Sequence, residues 1–121
     1  RLGTGGSTLT INAPVLTGSN SVQIGAVTNT IPAQSVNFTN NGGTVVLNTA
    51  NNYTGGTTLV QNAVLQVGNA SALGTGTLNF AGGTLQLDTF GMVNLLGPRT
   101  ITNPLALLGD ATFTTINSKL P

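Results

Sequence analysis

Glutamate, histidine, cysteine and tryptophan are all absent from this 121-residue chain, and only Arg1, Asp88, Arg99, Asp110 and Lys119 carry charge. The lack of Cys excludes a disulfide framework, a zinc knuckle and a thiol nucleophile. It leaves the compartment open, because an exported chain that crosses a membrane unfolded also gains by avoiding cross-links. With no His, no Glu and two carboxylates in all, most of the groups used in acid–base and nucleophilic catalysis are missing. A net charge of +1 offers no positive stripe to neutralise phosphates, which excludes nucleic acid as a partner. It likewise offers no basic face to an anionic membrane. No apolar run approaches the roughly 18 residues that a membrane helix needs, and the greasiest, residues 92–97, is far too short, so no membrane insertion of this segment is expected. The chain starts at Arg1 and has no signal-peptide core, which reads as a processed product or an excerpt of a longer protein.

What is present is Thr, Asn and Gly: 21, 15 and 17 residues, together 53 of the 121. This is the chemistry of strands and turns, and Gly or Pro interrupts nearly every window in which a helix could form. Disorder normally goes with high net charge and few β-branched residues, and neither holds here. An ordered all-β chain is therefore expected.

Period-two alternation marks the strands. Apolar pairs recur as Leu9 and Ile11, Val22 and Ile24, Val36 and Phe38, and Val45 and Leu47. The series continues with Leu65 and Val67, Leu78 and Phe80, and Leu85 and Leu87. Each pair predicts a short strand with one buried face, and these fourteen residues form the expected core. Less regular strands are expected at 57–62, 92–96, 99–102, 105–108 and 111–116, making about a dozen in all. The connectors vary from one residue to about ten. That suits a solenoid, whose corners absorb length differences as outward bulges, better than a meander or sandwich with regular hairpin turns. Gly-Gly recurs at Gly5, Gly42, Gly55 and Gly82, each pair followed by Thr or Ser and then apolar residues, a degenerate internal repeat that also favours the solenoid. A generic β-sandwich is the alternative on pattern alone.

The stretch from Gly42 to Leu87 narrows the choice. It runs GGTVVL, then ANNYTGGTT (Ala50–Thr58), LQVGN (Leu65–Asn69), ALGTGTL (Ala72–Leu78) and AGGTLQL (Ala81–Leu87). In that order and spacing these blocks resemble the autotransporter-associated β-strand repeat of bacterial autotransporter passenger domains. The resemblance covers residues 42–87. The tail Ile101–Thr115 is similar to the coil that often follows such a repeat, and the first forty residues match only in composition and alternation. One departure is that the repeat often carries Gly where Asn62-Ala63 stands, so that corner is expected to differ. The resemblance implies a right-handed parallel β-helix of about five to six coils, a single block over residues 1–121. It also implies export to the bacterial cell surface or the medium, and no cofactor.

Three features invite a chemical reading. Asp88 and Asp110 are the only carboxylates, 22 residues apart. With coils of about that length they would lie in adjacent rungs, roughly 5 Å from each other. That is near the carboxylate separation of retaining glycosidases, or the start of a weak Ca²⁺ site, although Ca²⁺ asks for six to eight oxygens. The plainer reading is two solvated turn residues. The Gly-rich pieces at Gly3–Gly6 and Gly74–Gly76 lack the continuation of a phosphate-binding loop and read as corner glycines. Among the aromatics, Phe38 and Phe80 have the inward parity of core residues, while Tyr53, in the turn ANNYTGG, is the one expected near the surface and available to touch a ligand.

Two functions of different class follow. The first is a non-enzymatic extracellular structural or adhesive element, a β-helical passenger segment forming a stalk or filament, with no catalytic residue. Its partners would be other copies of itself, stacked through uncapped ends, and a host or matrix surface. The second is a carbohydrate-active β-helix that binds or cleaves polysaccharide with site residues outside this chain. Two carboxylates are too few for the second.

Overall fold

Alternation of the kind seen in Leu65–Gln66–Val67 builds a strand with a buried face, and a buried face needs a partner sheet. In a computed structural model, which describes residue 2 and residues 7–25, 43–88 and 100–116, nine strands answer that need. They are β1 (Thr8–Ile11), β2 (Val22–Ile24), β3 (Gly43–Leu47), β4 (Thr57–Val60) and β5 (Ala63–Val67), then β6 (Leu78–Ala81), β7 (Thr84–Asp88), β8 (Leu105–Leu107) and β9 (Thr112–Ile116). The odd strands form one sheet in the order β1-β3-β5-β7-β9, and the even strands form a second in the order β2-β4-β6-β8. Every pairing is parallel. No helix occurs among the described residues. The chain is thus all-β with two parallel sheets, an arrangement compatible with a β-solenoid.

No strand pairs with its sequence neighbour. β6 and β7, separated by Gly82-Gly83, lie in different sheets rather than in a hairpin. The two-residue corner explains this. Gly82 and Gly83 both have left-handed φ, 105° and 87°, which turns the chain away from its own sheet and starts the other. The equivalent corner, Gln61-Asn62 between β4 and β5, has no glycine. Asn62 itself adopts φ 64°, and the register sets Ala63 beside Gly43 and, one rung on, Val64 beside Thr84. Asn is the side chain that best tolerates the left-handed region. The corner expected to differ does so: between positions paired in register, Val60 with Ala81 and Val64 with Thr84, it holds three residues against two, with one left-handed residue against two.

Register turns the alternating pairs into columns. Leu9, Val45, Leu65, Leu85 and Phe113 lie in line across the odd sheet, as do Ile11, Leu47, Val67, Leu87 and Thr115. Across the even sheet run Val22, Thr57, Leu78 and Leu105, and beside them Ile24, Leu59, Phe80 and Leu107. The middle of each column is sealed: Ile24, Leu47, Leu59, Leu65, Val67, Leu78 and Phe80 are fully buried in one cluster that both sheets share. Each such side chain contributes about 1.5–3 kcal/mol of transfer free energy.

The expected core is found where the columns are interior and fails where they end. Val22, Ile24, Val45, Leu47, Leu65, Val67, Leu78, Phe80 and Leu85 are buried, and Ile11 and Leu87 pack partly buried against them. Leu9 is 37% exposed because β1 is the outermost strand of its sheet, so one flank of its column has no neighbour. Val36 and Phe38 lie outside the described residues, as do the strands expected at 34–39 and 92–96. Residues 100–102 form no strand, contrary to expectation; Asn103, two residues before β8, is instead committed to side-chain bonds with the preceding turn.

Candidate functional site

Asp88 and Asp110 are not brought together. The step that carries β7 onto β9 pairs Thr84 with Thr112 and Asp88 with Ile116, a stride of 28 residues rather than 22. Asp88 therefore ends its strand on the side of Ile116, while Asp110 precedes Thr112 at the opposite side. The strand span Thr84–Asp88 alone is on the order of 13 Å, too far for two carboxylates to share a cation or flank a scissile bond. Asp110 borders an open groove of about 400 Å³ at the Gly82-Gly83 corner, with Asn62 and Thr84 among its walls. No three metal-ligating side chains converge among the described residues.

Tyr53 corrects the second expectation: it is fully buried. Its hydroxyl pairs with Thr57 Oγ1 at 2.5 Å. Thr57, at 1% exposure, holds an inward position between Val22 and Leu78, a polar residue in an apolar column. Each would carry an unsatisfied hydroxyl alone, and each satisfies the other. The ring packs with Ala72 and Leu73 in the central cluster, and burial pushes the phenol pKa above 10.0, partly offset by the Thr57 bond. Tyr53 has no surface to offer a ligand.

The polar side chains that sequence reasoning did not single out are the ones the structure commits. Asn51, 8% exposed, accepts from the Leu16 amide at 3.2 Å and donates to the Ala72 carbonyl at 2.9 Å and the Thr49 carbonyl at 3.2 Å. It ties three successive turns of the chain together. Asn103, equally buried, donates to the carbonyls of Leu73, Gly74 and Gly76 at 2.8–3.3 Å. Asn48 donates to Asn12 Oδ1 at 2.8 Å at the corner that follows β3 and β1. Apart from the local Asn51–Thr49 bond these run between layers, and those of Asn51 and Asn103 satisfy backbone groups at the corners. The sequence signal was Asn abundance at turns, which cannot say which Asn points inward.

The remaining candidate surface is where the ladders stop. Phe113 is 55% exposed, and Leu105, Leu107 and Leu108 are 54–68% exposed, all on or beside the terminal strands β8 and β9. Phe113 makes a tilted ring pair with Phe80 at 5.0 Å between centroids. At the other flank, β2 is covered in part by Leu2. Its amide donates to the Gln23 carbonyl and its carbonyl accepts from the Gly25 amide, each at 2.7 Å, placing Leu2 beside Ile24. Among the described residues, Leu105, Leu107, Leu108, Phe113 and Val15 are the most exposed large apolar side chains. No known protein family, no curated protein and no solved structure matches this chain.

Proposed function

We propose that the chain is a non-enzymatic structural or adhesive element, a right-handed parallel β-helix of about five to six coils that serves as a stalk or filament segment outside the cell. The observation that carries this reading is the pair of parallel ladders whose middle rungs share one apolar cluster, interrupted in its columns only by the buried Thr57. Nearest-neighbour stacking of this kind makes stability a sum over rungs and allows growth along one axis. Parallel crossovers in one sheet are right-handed in nearly all proteins, which supports the handedness. The resemblance of residues 42–87 to the autotransporter-associated repeat supports export to the bacterial surface, with a host or matrix surface as the target of adhesion. Self-association through the ends is part of the same reading.

Negative-stain electron microscopy and light scattering across a concentration series test it. Rods or fibres whose mass rises with concentration are expected. A monodisperse monomer at high concentration refutes self-association, and release of reducing ends from a polysaccharide panel refutes the non-enzymatic assignment.

A further inference from the structure

A groove of about 370 Å³ crosses the corners that follow β3 and β5 and the segment that leads into β8. Asn52 and Thr54 come to it from one layer, Ser71 and Thr75 from the next, and Thr102 and Asn103 from the third. Backbone bonds fix these layers against one another. The Thr75 amide donates to the Tyr53 carbonyl at 3.2 Å, and the Leu78 amide to the Pro104 carbonyl at 2.8 Å. With layers following at roughly 4.8 Å, the groove runs on the order of 10 Å along the stack. Its volume lies within the range of about 300–1,000 Å³ in which proteins hold small ligands.

The chemistry of the walls is uniform. Asn52, Thr54, Ser71, Thr75 and Thr102 are exposed, and each carries an amide or hydroxyl able both to donate and to accept. Between them lie the methyl groups of the threonines and of Ala70. Unlike the groove beside Asp110, this one has no charged side chain among its described walls.

Asn103 adds a fixed acceptor. It is 8% exposed, and its Nδ2 donates to the carbonyls of Leu73, Gly74 and Gly76 at 2.8–3.3 Å. An amide oxygen could not make those bonds, so the orientation of the amide is settled. The nitrogen is turned into the layer beneath. Its Oδ1 takes no bond from the described residues, yet the only buried side-chain atom left without a partner among them is Thr49 Oγ1. Asn103 Oδ1 therefore reaches the surface, and the surface that Asn103 lines is this groove.

A ligand for such a site must bring many donors and acceptors and no charge. An ionic ligand would be desolvated with no counter-charge to meet it, and an aromatic one would find no ring to stack on, since Tyr53 is buried beneath. Sugar rings meet both demands, with hydroxyls at the rim for the amides and hydroxyls and C–H faces for the methyl groups. We propose that this groove binds a short stretch of neutral glycan, with Asn103 Oδ1 accepting from one sugar hydroxyl. This rests on the adhesive half of the reading above and names the class of surface it would contact. A few neutral hydrogen bonds give a dissociation constant on the order of millimolar for one site.

Retention of the whole chain on beads coated with mannan, dextran or xylan, against beads coated with polygalacturonate, tests the class of ligand. Hydrogen–deuterium exchange mass spectrometry with soluble oligosaccharides of the same four polymers locates the site. At least one neutral bead is expected to retain the chain better than polygalacturonate, with slowed exchange at residues 50–54, 69–76 and 100–103. Asn52→Ala with Thr75→Ala keeps the backbone bonds of both residues and should lower retention at least tenfold. Should that variant lose the wild-type circular dichroism, Ser71→Ala with Thr102→Ala removes two other walls and should do the same. No retention on any neutral bead, unchanged retention in folded variants, or stronger retention on polygalacturonate overturns the proposal. Protection confined to other residues overturns the groove and leaves adhesion standing. Protection in the groove by a chain that coats neither cells nor matrix keeps the groove and removes the adhesive reading.

Discussion

Replacing Tyr53 by Phe removes one oxygen from the centre of the molecule and leaves Thr57 Oγ1, in a residue 1% exposed, without its partner. A buried hydroxyl left unpaired costs about 1–3 kcal/mol, on the order of 5–10 °C in Tm for a chain of this size. Removing both partners together, in Tyr53→Phe with Thr57→Val, should recover most of that loss, because no polar atom is then stranded. The same phenol sets an alkaline limit. Its pKa in the folded chain lies above 10.0, chiefly because burial disfavours phenolate. The unfolded chain therefore releases the proton first as pH rises. Between the unfolded and folded pKa values the native state holds more protons than the unfolded state, and stability falls with pH. The contribution is fully present below about pH 10 and declines above it by at most about 1.4 kcal/mol per pH unit. With no His to titrate, urea midpoints from pH 5 to 9 should coincide. Urea titrations from pH 5 to 11.5 on the wild type and Tyr53→Phe check both halves, with tyrosinate absorbance as a second readout. An alkaline decline equally steep in Tyr53→Phe would refute the assignment to Tyr53. So would a neutral-pH loss under about 0.5 kcal/mol in that variant.

Three further substitutions probe the turns. Gly74 has φ 60° and lies so close to the Tyr53 carbonyl that a Cβ would collide with backbone, so Gly74→Ala should cost about 2–5 kcal/mol in chemical denaturation. Asn51→Ala strands the Leu16 amide and the Ala72 carbonyl and should cost about 2–4 kcal/mol, with accelerated amide hydrogen exchange at Leu16 as the local signature. At Asn62, φ 64°, both Gly and Ala lose whatever the amide side chain contributes, so their difference isolates the backbone: Asn62→Ala should be less stable than Asn62→Gly by about 1 kcal/mol, measured by thermal unfolding.

The parts of the fold that depend on local pattern were legible in the sequence. Period-two pairs such as Leu65 and Val67 named the interior columns, because in a strand the face of a residue follows from its parity alone. Parity does not say where a stack stops. Leu9 and Phe113 have the inward parity of Leu65, yet sit on the outermost strands and remain exposed. Nor does parity reveal pairs: Tyr53 looked like a turn residue because its neighbours are Asn and Thr, and only the approach of Thr57 shows why it can be buried. The carboxylate pair failed for a third reason. The strides Thr44 to Val64 and Val64 to Thr84 are both 20 residues, but the next, Thr84 to Thr112, is 28. A spacing of 22 matches none of these strides.

A chain with 4% charged residues forgoes the device by which most soluble proteins keep their edges apart. In a two-ladder protein the sides pair themselves, and the hazard is confined to the first and last rungs. There the columns present apolar residues, with neither Lys nor Pro in β1 or β9. Repulsion cannot supply selectivity on such surfaces, so it has to come from the parity of the apolar columns. Slipping by one residue in such a ladder would set Phe113 beside a Thr or Gln of the neighbouring strand instead of an apolar residue. Parity, which builds the core rung by rung, is thus also what decides whether anything can be added to its end.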